Sequence, residues 1–190
     1  MTSTAKDHSS AAIGIVETSS IAKGFAIADA LMKAANVHII VNRTICPGKY
    51  MILIGGGVDA VTASIETGVR IAAHTLVDHF VIPNLHPTVF PAISGVSHQP
   101  QLRSLGVIEA FSVSAIIEAS DAAVKSAQVE LITIHLAMAI GGKGFVTFTG
   151  DAASVEQAVE VGAAVVERRG LLVEKVVIHS PNKDIVREFI

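Results

Sequence analysis

The stretch AIGIVETSSIAKGFAIADALMKAANVHII, residues 12–40, recurs later in the chain as SLGVIEAFSVSAIIEASDAAVKSAQVELI, residues 104–132. Matching residues are 92 positions apart near the start of the repeat, as at Glu17 and Glu109. They are 96 positions apart near its end, as at Val81 and Val177. Because self-similarity over a long period is typical of duplicated structural units, the chain is predicted to contain two copies of one small domain.

Each copy is predicted to run strand, helix, strand, strand, helix, strand, which places the protein in the α/β (α+β) class. Apolar and β-branched runs predict the strands, and apolar residues at helical spacing predict the helices. In the first copy these are strands at 12–18, 37–45, 49–54 and 80–82, with helices at 20–35 and about 58–74. Pro47-Gly48 predicts a turn between the second and third strands.

The first helix of each copy is expected to present one apolar face. In the first copy that face is Ile21, Phe25, Ala28, Met32 and Ala35, and its counterparts are Val113, Ile117, Ser120, Val124 and Ala127. The second helix of the first copy is expected to turn Val61, Ile65, Val69 and Ala72 inward.

The stretch FPAISGVSHQPQLR between the copies contains two prolines and a glycine and has no helical or strand periodicity. The first ten residues, MTSTAKDHSS, have no apolar core and no cleavage-like site, so we expect a disordered tail and no signal peptide. The predicted division is a tail at 1–10, a first domain at 11–89, a linker at 90–103 and a second domain at 104–190.

Composition excludes several classes of protein. Hydrophobic residues make up 51% of the chain but aromatic residues only 4%, which suits thin, closely packed elements partly covered by other subunits. Charged residues interrupt every apolar run before the roughly 20 residues that a membrane-spanning helix needs. The net charge of −3 and the scattered basic residues give no indication of nucleic-acid binding. One cysteine excludes an intrachain disulfide and is compatible with a reducing cytoplasm.

The pattern D-A-x-x-K-x-A-x-V occurs at Asp29–Val37 and again at Asp121–Val129. With AIGIVET at the start of the first copy, it resembles the tandem-domain shell proteins of bacterial microcompartments. SIAKG, TICPGK, IETG, HPTVFPAISG and GLLV are similar to the T-type tandem shell proteins of propanediol-utilisation microcompartments. The resemblance implies a mainly antiparallel sheet flanked by helices in each copy. It also implies a homotrimer that forms a pseudohexamer, lateral contacts with other shell proteins, and a place in a cytoplasmic microcompartment shell.

The same resemblance gives the single cysteine, Cys46, a role. In that family the first copy's strand-to-strand loop lies at a central pore, and its cysteine binds one 4Fe–4S cluster on the three-fold axis. Three chains would bring three thiolates together there. The implied pore-loop residues are Thr44, Ile45, Pro47 and Gly48 in the first copy, and Ala139, Ile140, Gly141 and Gly142 in the second. Lys49 is a candidate for offsetting the negative charge of the cluster.

Taken alone, an isolated cysteine is commonly an inert packing residue. The two loops differ, however: RTICPGK in the first copy corresponds to the longer, thiol-free HLAMAIGGK, residues 135–143, in the second. Such asymmetry is expected if one loop carries a cofactor and the other encloses it. Drift after duplication is the alternative explanation.

Lys33 and Lys125 end the first helix of each copy, where a cation also suits the helix dipole. The resemblance implies that both lie at the edge where neighbouring tiles meet. Asn36 belongs to the same implied edge, although Gln128 replaces it in the second copy.

The sequence contains no recognisable enzyme motif. The eight histidines have no metal-ligand spacing, and neither the phosphate-binding nor the nucleophile-elbow pattern is present. We therefore expect a shell tile, not an enzyme, whose pore cluster passes electrons across the shell, with a luminal or cytosolic redox enzyme as a possible partner. The alternatives are a tile with a metabolite-conducting pore and no cofactor, and a thiol redox sensor. The sensor is disfavoured because the chain has no resolving cysteine.

Overall fold

The structure, a computed structural model, describes residues 12–95, 100–137, 140–182 and 184. The chain divides into two compact units. The first contains residues 12–44 and 48–85, and the second contains residues 45–47 and the chain from His86 onward. The predicted tail at 1–10 lies outside the described residues.

The first unit is a four-stranded sheet with two helices. Its elements are β1 (Ala12–Thr18), α1 (Ile21–Ala34), β2 (Val37–Ile45), β3 (Lys49–Gly56), α2 (Val58–Ala72) and β4 (Leu76–Ile82). The sheet order is β2-β3-β1-β4, and β1 pairs antiparallel with both β3 and β4. The predicted order of elements is confirmed.

The second unit repeats this architecture after one additional helix. Its elements are α3 (Val89–Ser94), β5 (Ser104–Ala110), α4 (Val113–Ser126), β6 (Val129–Leu136), β7 (Gly144–Gly150), α5 (Ala152–Glu167) and β8 (Leu172–Ile178). The sheet order is β6-β7-β5-β8, again with antiparallel pairs. Even the irregularity in the central strand repeats, because the register shifts after Glu17 in β1 and after Glu109 in β5.

The last strand of each sheet is longer than its sequence pattern indicates. β4 begins at Leu76 rather than Phe80, and Asp78 and His79 are inside it. Its residues alternate between partly buried and exposed positions over the first half. An edge strand with one face exposed to water tolerates such polar residues. A search for continuous apolar residues therefore finds only the final residues of this strand.

Serine side chains fix the starts of α1 and α4 at matching positions. Ser20 and Ser112 precede the helices, and their hydroxyl oxygens accept hydrogen bonds from the N–H groups of Lys23 and Ala115. Such caps satisfy donors that have no partner inside the helix. Asp151 caps α5 in the same way, and the hydrogen bonds from Ser154 lower the pKa of the Asp151 carboxyl.

The lack of a side chain at Gly14 lets α2 pack closely against the sheet. A Cβ atom at Gly14 in β1 would lie only 2.4 Å from Ile65 and 2.8 Å from Val61 of α2. Gly106 occupies the matching position in β5, where a Cβ atom would lie 2.4 Å from the ring of Phe148. The predicted inward face of α2 is therefore confirmed at Val61 and Ile65, which are buried.

Within α1, the predicted apolar face is buried only at Ala28. The buried residues of α1 are Gly24, Ile27, Ala28 and Leu31, whereas Ile21, Phe25 and Met32 are 41%, 61% and 40% exposed. The helix carries apolar residues on two faces, so periodicity alone cannot select one. Contact with α2 decides it, because a Cβ atom at Gly68 would lie 2.8 Å from Leu31 and 3.3 Å from Ile27.

The counterpart helix α4 behaves differently. Its predicted face is buried at Val113, Ile117, Ser120 and Val124, and most of its remaining residues are buried as well. The outer face that α1 exposes is thus a buried face in α4.

The predicted linker at 90–103 contains most of α3. This helix packs against α4 and β6, and its Val89 and Ala92 are fully or almost fully buried. Six residues with a proline among them carry too little periodicity to predict a helix. None of the helices within the described ranges is long and apolar enough to cross a membrane.

Candidate functional site

Cys46 lies in the tight turn between β2 and β3. β2 ends at Ile45 and β3 begins at Lys49, so Cys46, Pro47 and Gly48 form the connection. The Cys46–Pro47 peptide bond is cis, and Gly48 has a φ of +82°. A Cβ atom at Gly48 would meet nothing within 4 Å, so the turn needs glycine for its backbone conformation.

The thiol of Cys46 is free and its residue is only partly exposed. Its flanking residues differ: Ile45 is buried, whereas Thr44, Pro47 and Gly48 are exposed. Ile45 therefore anchors the turn, and the thiol stands among groups that solvent or another subunit can reach.

Backbone groups of the second unit, to which residues 45–47 belong, hold Cys46 in place. The Cys46 N–H donates to the carbonyl oxygen of Ala137 at 3.1 Å. The Ala137 N–H donates to the carbonyl oxygen of Lys143, also at 3.1 Å. A Cβ atom at Gly142 would lie 2.7 Å from the Cys46 carbonyl oxygen, so only glycine fits against the turn there. The backbone of Cys46 is thus fixed without using its sulfur.

The structure brings part of the predicted second pore loop to this turn. Gly142 packs against it, Ile140 accepts a hydrogen bond from the Lys143 N–H, and Gly141 is exposed. Ala139 lies outside the described residues. Sequence reasoning missed Ala137 and Lys143, whose main-chain groups organise the contact. The signal for them was the extra length of this loop in the second copy.

The described part of one chain does not contain a complete metal site. Among the described residues, no three or more histidine, cysteine, aspartate or glutamate side chains gather where they could hold a metal ion. A thiolate is the ligand that iron–sulfur clusters use, and Cys46 is the single cysteine of the sequence. The donor type therefore fits such a cluster, but the number of donors fits only if several chains contribute.

Lys49 is already paired. Its ammonium group forms an ion pair with Glu17, whose side chain is 0% exposed. Lys143 and Glu109 repeat the pair in the second copy, with side chains that are 37% and 29% exposed. The expectation that Lys49 offsets the charge of a cluster is not supported, because its counter-ion is Glu17.

The predicted edge residues also form repeated pairs, in unequal surroundings. Lys33 contacts Asp29 at 2.7 Å, and these side chains are 74% and 62% exposed. Lys125 contacts Asp121 at 2.5 Å, with exposures of 41% and 9%. Asn36 is exposed between α1 and β2. The first copy therefore presents a more accessible lysine than the second.

Comparison with known proteins matches this duplicated architecture. The model of the BMC domain matches residues 12–85 and, a second time, residues 104–181. The chain belongs to the BMC-domain family of bacterial microcompartment shell proteins. The two matches correspond to the two sheets described above.

The similarity to tandem shell proteins extends over nearly the whole chain. The chain is 44% identical over 181 residues to the bacterial microcompartment shell protein PduT of Citrobacter freundii, covering 95% of this chain and 98% of that protein. A crystal structure of a microcompartment protein from Desulfitobacterium hafniense has a TM-score of 0.87 and 47% identity, covering 93% and 98% of the two chains. The shell protein EutM of Salmonella typhimurium is 41% identical over 90 residues, which is 46% of this chain and 90% of EutM. The resemblance predicted from sequence motifs is confirmed, and the protein is a shell tile of a bacterial microcompartment.

Proposed function

We propose that three chains form one tile, and that their Cys46 thiolates together hold a single 4Fe–4S cluster at a central pore, for electron transfer across the shell. The observation that carries this proposal is the Cys46 turn: the single thiol of the chain stands partly exposed on a backbone held by Ala137 and Gly142.

The trimer is supported by the duplication. Six BMC domains complete a ring when three tandem chains assemble, and a closed ring places one copy of each residue at equivalent positions around its axis. Ile21, Phe25 and Met32 of α1 are exposed, whereas their counterparts in α4 are buried. Large exposed apolar groups next to one another are typical of surfaces that another subunit covers.

The cluster is supported by donor chemistry. Three thiolates can bind three of its irons, which leaves the fourth for water, a small ligand or a partner protein. When bound, such a cluster supplies one-electron transfer, with a potential set by ligation, burial and nearby charge. The residues of this chain orient the thiol: Ile45 anchors the turn, and the Ala137 carbonyl fixes the Cys46 backbone.

We propose a structural and electron-conducting role rather than catalysis. A redox enzyme on the luminal or cytosolic side would then be the partner that donates or accepts the electrons. Lateral contacts with neighbouring tiles would involve the helix-end residues Lys33, Lys125 and Asn36.

The cluster is tested by purifying the protein without oxygen from cells with ample cluster-assembly machinery. We expect brown protein with broad absorption near about 400 nm and about four irons per trimer. Cys46→Ala should lose both colour and iron and keep the trimer, whereas Thr44→Ala, at an exposed neighbouring position, should keep the iron. Cys46→Ser should hold a weaker cluster, because an alkoxide is a harder ligand than a thiolate.

Two results would contradict the proposal. Colourless, iron-free wild-type trimers would favour a metabolite-conducting pore without a cofactor. Iron that remains bound in Cys46→Ala would show that other residues hold it.

A further inference from the structure

Gly142 of the second copy packs directly against the turn that carries Cys46. A Cβ atom at Gly142 would lie 2.7 Å from the Cys46 carbonyl oxygen, 2.9 Å from Cδ of Pro47 and 3.4 Å from the Cys46 carbonyl carbon. These atoms belong to the backbone and to a proline ring, so they cannot rotate away as the end of a flexible side chain would. The close fit therefore depends on the lack of a side chain at Gly142.

Comparison with the first copy shows that backbone conformation alone does not account for this contact. Gly48 lies 94 positions earlier, at the matching place before Lys49, and its φ of 82° is close to the 87° of Gly142. A Cβ atom at Gly48 would nevertheless meet no atom of the described residues within 4 Å. Both positions favour glycine for its left-handed backbone. Only Gly142 is also needed for close approach to a neighbouring segment.

The segment that presents Gly142 is anchored by its own contacts. The Lys143 N–H donates to the carbonyl oxygen of Ile140 at 3.4 Å, and the Lys143 carbonyl oxygen accepts from the Ala137 N–H at 3.1 Å. The ammonium group of Lys143 also forms an ion pair with Glu109 in β5. A side chain added at Gly142 would therefore displace the Cys46 turn rather than its own segment.

Displacing the turn would move the thiol as well. The residue whose carbonyl group faces Gly142 is Cys46, and its N–H donates to the Ala137 carbonyl oxygen at 3.1 Å. Moving that carbonyl group away from a new side chain tilts the residue and lengthens this hydrogen bond. Because the side chain of Cys46 is attached to the same backbone unit, Gly142 acts on the thiol through the main chain.

We propose that Gly142 is a positioning residue for the Cys46 thiol, and that the second copy holds this thiol in the orientation that the cluster requires. The inference rests on the proposed function, because a cluster shared by three chains needs matching sulfur positions around one axis. Ligands serve such a site only when the residues around them hold them close to the productive geometry. The first copy then supplies the ligand and the second copy supplies its support.

The thiol can be measured without the cluster, because Cys46 is the only cysteine in the sequence. Protein stripped of iron by a chelator under reducing conditions is treated with iodoacetamide, and alkylation is followed by intact-mass spectrometry. Gly142→Ala should raise the rate about two- to tenfold, the change in local opening that follows from losing one backbone hydrogen bond. Gly141→Ala, the matched control, should react like the wild type. Gly141 has a φ of 67°, and a Cβ atom there would meet no described neighbour within 4 Å.

A second pair of variants separates collision from backbone strain. Asparagine adopts a positive φ more readily than alanine does, so Gly142→Asn strains the backbone less and retains the collision. Gly142→Asn should again raise the alkylation rate, whereas Gly141→Asn should not. Circular dichroism shows whether each variant is folded, and the asparagine pair carries the test if an alanine variant is not.

The cluster provides an independent measurement in protein purified without oxygen. The Gly142 variants should lose iron to a chelator about tenfold faster than the Gly141 variants, because altering a group that orients a metal ligand typically costs about 10- to 100-fold in metal affinity. The electron paramagnetic resonance spectrum of the reduced cluster should also change in the Gly142 variants alone.

The outcomes separate this inference from the proposed function. Equal alkylation rates in the Gly142 and Gly141 variants would overturn the positioning, whether or not the wild type binds iron. Iron-free wild-type protein would overturn the cluster, and with it the purpose assigned to Gly142. Faster alkylation with unchanged iron loss would overturn the inference and leave the proposed function standing.

Discussion

Replacing Lys49 by methionine removes the counter-charge of Glu17, a carboxylate whose side chain is 0% exposed. Methionine keeps the length and the apolar stem of lysine, so the change is mainly one of charge. The duplication supplies a matched control, because Lys143→Met makes the same change beside Glu109, which is 29% exposed. The two variants therefore differ chiefly in whether water can reach the carboxylate that remains.

The expected costs differ several-fold. Removing one partner of a buried ion pair destabilises a protein by about 3–5 kcal/mol. We expect the lower end, about 3 kcal/mol, for Lys49→Met, because Lys49 itself is 19% exposed and the pair is not wholly dry. At the more exposed pair, Lys143→Met should cost at most about 1 kcal/mol, the usual limit for solvent-accessible pairs. For a chain of this size these values correspond to losses of about 6–12 °C and at most about 4 °C in melting temperature.

The assay is thermal unfolding followed by circular dichroism at one protein concentration. Both variants are made in the Cys46→Ala background, so that a bound cluster cannot contribute to the difference. Adding Glu17→Gln to Lys49→Met should recover part of the loss, because the uncompensated charge is then gone. Equal losses in the two single variants, or no recovery in the double variant, would refute the argument from burial.

Two further predictions concern packing and assembly. Gly14→Ala should lower the free energy of unfolding by about 1–3 kcal/mol, because its methyl group would collide with α2; Gly57→Ala, at a position with open space, is the control in urea titrations. Lys33→Ala should weaken the growth of tile sheets, followed by light scattering and electron microscopy, more than Lys125→Ala does, because Lys33 is 74% exposed and Lys125 is held by a buried aspartate. Trimers that fall apart in either lysine variant would place that lysine inside the trimer rather than at the tile edge.

The duplication, the order of elements and the family could all be predicted from the sequence. Paired residues such as Gly14 and Gly106 recur because, in each copy, a side chain at this position of the central strand would collide with the second helix. The turn at Pro47-Gly48 was also predictable, since proline and a glycine with positive φ suit only a few backbone conformations. These features depend on residues close together in the chain, or on comparison of one copy with the other.

Contacts between distant parts of the chain decided the rest. The sequence determined that α1 has apolar residues on two sides, and only packing against α2 selected which side is buried. It determined that Lys49 lies near the thiol, and only the fold assigned that lysine to Glu17. It determined that the two copies are alike. Only the packing of α3 on α4 showed that the first helix of the second copy is more deeply buried than α1. The physical reason is the same in each case. Periodicity and spacing show which residues of a segment can be buried, whereas residues that are distant in the chain determine which of them are buried and against what.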